Sequence, residues 1–133
     1  MIPRLALLAF FAAAPAAAGE ALTAEAFERM AEGRVLHFTL QGQPFGAEQY
    51  FRGRRSLWQY ADGSCAEGVW WPEGGGICFR YGERTDTQCW RFEARRGGFA
   101  AELVEGGAPT GFVLELSRQG EAPLACPGPR VGS

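Results

Sequence analysis

Lysine is missing from this chain, so all thirteen basic residues are arginine, and histidine occurs once, at His37. Alanine, glycine and proline are in excess, which makes the missing lysine a matter of coding composition rather than of anion binding. With one histidine, any imidazole-based acid–base scheme rests on a single side chain. Alternation puts that side chain on the solvent face of its strand. No C-x-x-C occurs, and His37 is far in sequence from the four cysteines, which argues against a redox dithiol or a zinc site. No G-x-S-x-G, H-E-x-x-H or P-loop is present. Gly74-Gly75-Gly76 and Gly97-Gly98 lack the strand-to-helix setting of a phosphate cradle and read as turns. Basic residues do not outnumber acids, which excludes a nucleic-acid partner of the usual electropositive kind. Nothing in the sequence calls for a cofactor or a metal.

Long apolar runs are also missing, and none approaches the roughly twenty residues that span a bilayer. The short run Leu5–Ala14 follows Arg4 and precedes Ala16-Ala17-Ala18, the pattern of a secretory signal with an A-x-A cleavage site. Residues 1–18 are therefore expected to be a signal peptide. Removing those 18 from 133 leaves 115 residues, one domain's worth, with Arg4 gone and a formal charge of −3. The expected location is the periplasm or the medium, where four cysteines form a disulfide framework.

Thr23 is a natural N-cap for a short helix over Ala24–Ala31, with Leu22 and Phe27 at hydrophobic-staple spacing and Gly33 as the stop. From Val35 the period changes to two. Runs at 35–40, 48–51, 56–61, 64–71, 77–81, 88–95, 99–104 and 111–117 are separated by turn residues. Asp62-Gly63 is the sharpest hairpin signal. Gly42 to Gly46 reads as a loop, and so does Glu105 to Pro109. The fold class is mainly β: an antiparallel meander of about eight strands, closed into a small barrel or half-barrel, with one N-terminal helix as a cap. The domain is expected to run from 19 to 126, with a flexible tail at 127–133.

Alternation sorts the faces. Ile77, Phe79 and Tyr81 point inward, as do Trp90, Phe92 and Ala94, then Phe99, Ala101 and Leu103, then Phe112, Leu114 and Leu116. Cys78 and Cys89 share the outer face and fall opposite each other if Gly82–Thr85 is the loop, with Cα atoms about 4.5 to 5.5 Å apart. Cys65 and Cys126 are then the second pair, although four cysteines allow three connectivities. Glu67, Glu73, Glu93 and Glu102 are the acids from which a hydrolytic carboxylate pair could be drawn. Trp58, Tyr60, Trp71, Phe79, Trp90 and Phe92 supply apolar contact for a ligand or partner, with Arg54 beside them. Trp70 and Trp71 must face opposite sides of their strand.

The signal peptide, Leu22-Thr23-Ala24-Glu25-x-Phe27, Gly33-Arg34-x-Leu36, Tyr50-Phe51, Asp62-Gly63, Gly68-x-Trp70, Ile77-Cys78-Phe79 and Cys89-Trp90 together resemble small exported proteins of alpha-proteobacteria of unknown function. In outline the pattern is similar to lipocalin-like, calycin-type barrels, without their Gly-x-Trp near the first strand. The resemblance implies a barrel in the cell envelope and transfers no catalytic residue. Three functions are open to such a chain. One is binding a small apolar ligand inside or an envelope protein outside. The others are inhibition of an envelope or cell-wall enzyme, and acid-pair hydrolysis of envelope glycans.

Overall fold

The computed structural model describes residues 19–127, so the expected signal peptide and the tail beyond Pro127 lie outside the described residues. Eight antiparallel strands, each hydrogen-bonded to the next, form a closed barrel in simple sequence order, β8 returning to pair with β1. They are β1 (Val35–Leu40), β2 (Gln43–Phe51), β3 (Arg55–Tyr60), β4 (Cys65–Glu73), β5 (Gly76–Tyr81), β6 (Gln88–Arg95), β7 (Gly98–Glu105) and β8 (Ala108–Gly120). Closure leaves no free sheet edge and lets one apolar face bury itself.

The helix α1 (Ala24–Ala31) forms as its sequence dictates. The Thr23 hydroxyl accepts from the Ala26 N–H at 3.1 Å, and Phe27 and Ala31 on its inner face are fully buried. Two turns of helix would not persist alone. Phe27 holds it by entering one end of the barrel, with its ring 5.4 Å from Tyr50, 5.1 Å from Trp70 and 4.5 Å from Phe92. That end is thereby stoppered. The incoming chain contributes too: Gly19 and Leu22 donate backbone hydrogen bonds to Ala94 and Phe92 of β6, at 2.7 and 2.8 Å.

Three sequence readings need correction. The segment read as a loop before Glu48 is the first half of β2. The turn is only Gln41-Gly42, both at positive φ (49° and 80°). Pro44 cannot donate to a ladder, and the β1–β2 register slips next to it, between Phe38 and Thr39. The β7–β8 connection is likewise just Gly106-Gly107, at φ 57° and 78°. Finally, β8 does not stop at Ser117. It continues to Gly120, pairing Gln119 with Leu36 and Gly120 with Val35, because closing the barrel requires a partner for the start of β1.

Both expected disulfides are present. Cys78 and Cys89 are cross-strand partners with Cα atoms 4.0 Å apart, closer than the hairpin rule suggested. Cys65–Cys126 ties the tail back across the outside of the barrel. There the Leu124 N–H donates to Gln49 at 3.0 Å, and Gln59 donates to the Ala125 carbonyl at 2.6 Å. The outward-facing Leu57, cross-strand partner of Gln49, is fully buried.

Candidate functional site

The helix stoppers one end of the barrel; the other end, where the β1–β2, β3–β4, β5–β6 and β7–β8 turns lie, is open. A cavity of about 470 Å³ enters it. Phe45, Trp58, Tyr60, Phe79 and Tyr81 form its wall, and Asp62, Arg84, Asp86 and Gln88 stand around its lip. Tyr60 is 41 % exposed, one of two large apolar side chains so exposed among the described residues, and it belongs to this wall. At the lip, the Arg84 guanidinium makes a bidentate pair with Asp86 at 2.9 and 2.8 Å. Asp62 accepts from the Ser64 N–H and hydroxyl at 2.9 and 2.6 Å, closing the β3–β4 turn. Those donors hold both aspartates below the usual carboxylate range.

Two strand glycines explain why the wall is flat. Gly46 of β2 is the cross-strand partner of Tyr60, and a Cβ there would come within 2.3 Å of the Trp58 indole. Gly68 of β4 faces Tyr81, whose ring would be 2.6 Å from a Cβ. Both glycines sit where no left-handed backbone is needed, so the cause is close approach: each removes a side chain so that an aromatic ring can lie down on the sheet.

Behind this wall is a group the sequence reading missed. Glu48 is 3 % exposed, the one buried charged residue among those described. Trp58 is its cross-strand partner, and the Tyr81 hydroxyl donates to its two carboxyl oxygens at 2.7 and 2.8 Å. The Ser56 hydroxyl acts on the same carboxyl but sits outside good hydrogen-bond geometry, which leaves it buried without a partner. Burial raises the Glu48 pKa from 4.5 to about 7, opposed only by these two hydroxyls; no cation among the described residues acts on it. In turn, burial and then the Glu48 charge push Tyr81 and Tyr50 well above the ordinary phenol range. Glu48 was legible in principle: Gly46, Glu48 and Tyr50 share one face once β2 is allowed to begin at Gln43.

The residues singled out from sequence divide into three places. Trp58, Tyr60 and Phe79 line the cavity. Phe92 and Trp90 are inward but occupied elsewhere, Phe92 against Phe27, Phe79 and Phe99, and Trp90 against Phe112. Trp71 faces outward, half-buried, as the cross-strand partner of Cys78. Arg54 lies near the stoppered end, 3.6 Å from Glu28 and 5.0 Å over the Trp70 ring. Trp58, Trp71 and Arg54 therefore do not form one exposed patch. Of the acids considered for catalysis, Glu93 is paired with Arg91 and Arg95 at 2.7 and 3.4 Å, and Glu102 accepts from the Gly111 N–H at 3.0 Å. None of the four is buried. His37 is half-buried, and burial and the nearby Arg118 lower its pKa.

Among the described residues, one set of potential metal-binding side chains clusters tightly: Glu73, Cys78 and Cys89. Two of its three donors are joined in a disulfide and have no thiolate to offer. No family model, no curated protein and no solved structure matches the chain.

Proposed function

We propose that this protein is a non-enzymatic binding protein of the cell envelope, exported and oxidised, that holds a small, mainly apolar molecule in the open end of its barrel. The observation that carries the reading is the cavity of about 470 Å³ walled by Phe45, Trp58, Tyr60, Phe79 and Tyr81. Its size falls in the range of about 300 to 1,000 Å³ expected of ligand pockets. The stoppered end supports it as well, since α1 and the rings around Phe27 close one end and the cavity opens at the other. Two disulfides suit a pocket that must keep its shape outside the cell.

The test is titration with the neutral fluorophore N-phenyl-1-naphthylamine, together with native mass spectrometry of protein purified from its own host. Ala61 lines the cavity beside Asp62, and saturable one-to-one binding, abolished by Ala61→Trp, is the expected result. If the fluorophore does not bind, or binds equally well to Ala61→Trp, the cavity is not a ligand site.

A further inference from the structure

We infer that the barrel's ligand is a small free organic cation, an alkylammonium or quaternary ammonium compound, held against the aromatic wall with the Glu48 carboxylate behind the Tyr81 ring. The inference rests on the reading of the cavity as a ligand site and specifies what that site selects.

Three observations point the same way. First, five aromatic rings line the cavity, and the glycine gaps at 46 and 68 lay Trp58 and Tyr81 along the sheet. Rings arranged around a space present their negative π faces to whatever enters it, the arrangement that binds ammonium groups. Second, the Tyr81 phenol donates its proton to the Glu48 carboxyl. Donation to a carboxylate pushes electron density into the ring and strengthens its attraction for a cation. Third, the local charge has no internal answer. Glu48 faces Tyr50, Tyr81 and Ser56, none of which is basic, and the lip carries two aspartates against Arg84 alone. A buried carboxylate without a cation is costly, and a cationic ligand in the adjoining cavity would relieve that cost. Burial makes Glu48 titrate near pH 7, so the cation should bind more tightly above that value than below it. The charged lip, with its Arg84–Asp86 pair, is unsuited to entering a bilayer, which favours a free cation over a lipid head group.

Choline and its neutral carbon isostere, 3,3-dimethylbutan-1-ol, differ in charge and hardly in shape. Calorimetric titration of the oxidised protein at about pH 8 should give choline an advantage on the order of tenfold or more. Glu48→Gln should remove most of that advantage while leaving the alcohol's affinity within about twofold. The wild-type preference should also shrink at about pH 5, a readout that needs no variant. Equal or tighter binding of the alcohol would overturn the inference and leave a neutral apolar site standing. If neither compound binds and the neutral fluorophore does, the inference fails and the cavity remains a ligand site. If none of the three binds, both fail. Co-sedimentation with phosphatidylcholine vesicles, competed by choline, would overturn the assignment to a free cation.

Discussion

Glu48 makes the stability of this protein depend on pH in a direction opposite to that of most carboxylates. In the folded barrel it holds its proton up to about pH 7, whereas in the unfolded chain it releases it near 4.5. Between those values the folded state carries a proton that the unfolded state has lost, so stability falls as pH rises through the interval and levels off above it. The gap corresponds to about 3 kcal/mol, at roughly 1.4 kcal/mol per tenfold change in proton affinity. Replacing Glu48 with glutamine keeps the shape and an acceptor for the Tyr81 hydroxyl but removes the titration. His37, whose pKa is lowered, slopes the other way below its ordinary value, and the lowered Asp62 and Asp86 act only in acid. These contributions are common to both proteins and cancel in the difference. Urea unfolding followed by tryptophan fluorescence, with disulfides intact, should show the variant close to wild type near pH 4.5. By pH 8 it should be more stable by about 3 kcal/mol. A constant difference across that range would refute a buried, uncompensated carboxyl at this position.

Three further outcomes follow from the packing. Opening Cys65–Cys126, which closes a separation of 61 residues, should cost about 4.3 kcal/mol, against about 2.8 for Cys78–Cys89 with its separation of 11; paired Cys→Ala variants in chemical denaturation would give the order. Gly46→Ala and Gly68→Ala should each destabilise by about 1 to 3 kcal/mol, because the new methyl collides with an indole or a phenol ring; near-UV circular dichroism should register the displaced aromatic. Phe27→Ala removes the stopper and should cost about 3 to 5 kcal/mol, with hydrogen exchange rising in α1 ahead of the barrel strands.

The parts of this fold that were legible in the sequence are those with local causes. The helix announced itself through Thr23, the Leu22–Phe27 staple and Gly33. Strands β5 to β7 showed unbroken alternation between glycine-bearing turns, and Cys78 and Cys89 stood in register across one loop. What stayed hidden had causes distant in the chain. Gly46 looked like part of a loop because its reason, the Trp58 indole, comes from β3. That misreading cut β2 short and concealed that Glu48 points inward with Tyr50. The last residues of β8 are polar and carry no strand signal of their own; they are ordered by pairing with Val35 and Leu36 at the other end of the domain. Leu57 is buried on the outer face, where the tail brought over by Cys126 bonds to the neighbouring Gln49 and Gln59, a pairing the local pattern does not announce.

Gly46 and Gly68 also bear on whether the open half of the barrel is a site or a packing fault. A barrel under selection only to fill itself would place side chains at both positions, since each faces the interior and glycine weakens a strand. Instead the vacated positions are covered by the rings of Trp58 and Tyr81 lying along the wall, and a cavity of about 470 Å³ opens against those rings. At the other end the Phe27 ring meets Tyr50 and Trp70 edge-on and Phe92 at a tilt, and closes that end. Both glycines stand behind rings of the cavity wall, and the buried carboxyl takes its hydrogen bond from the Tyr81 ring that Gly68 accommodates.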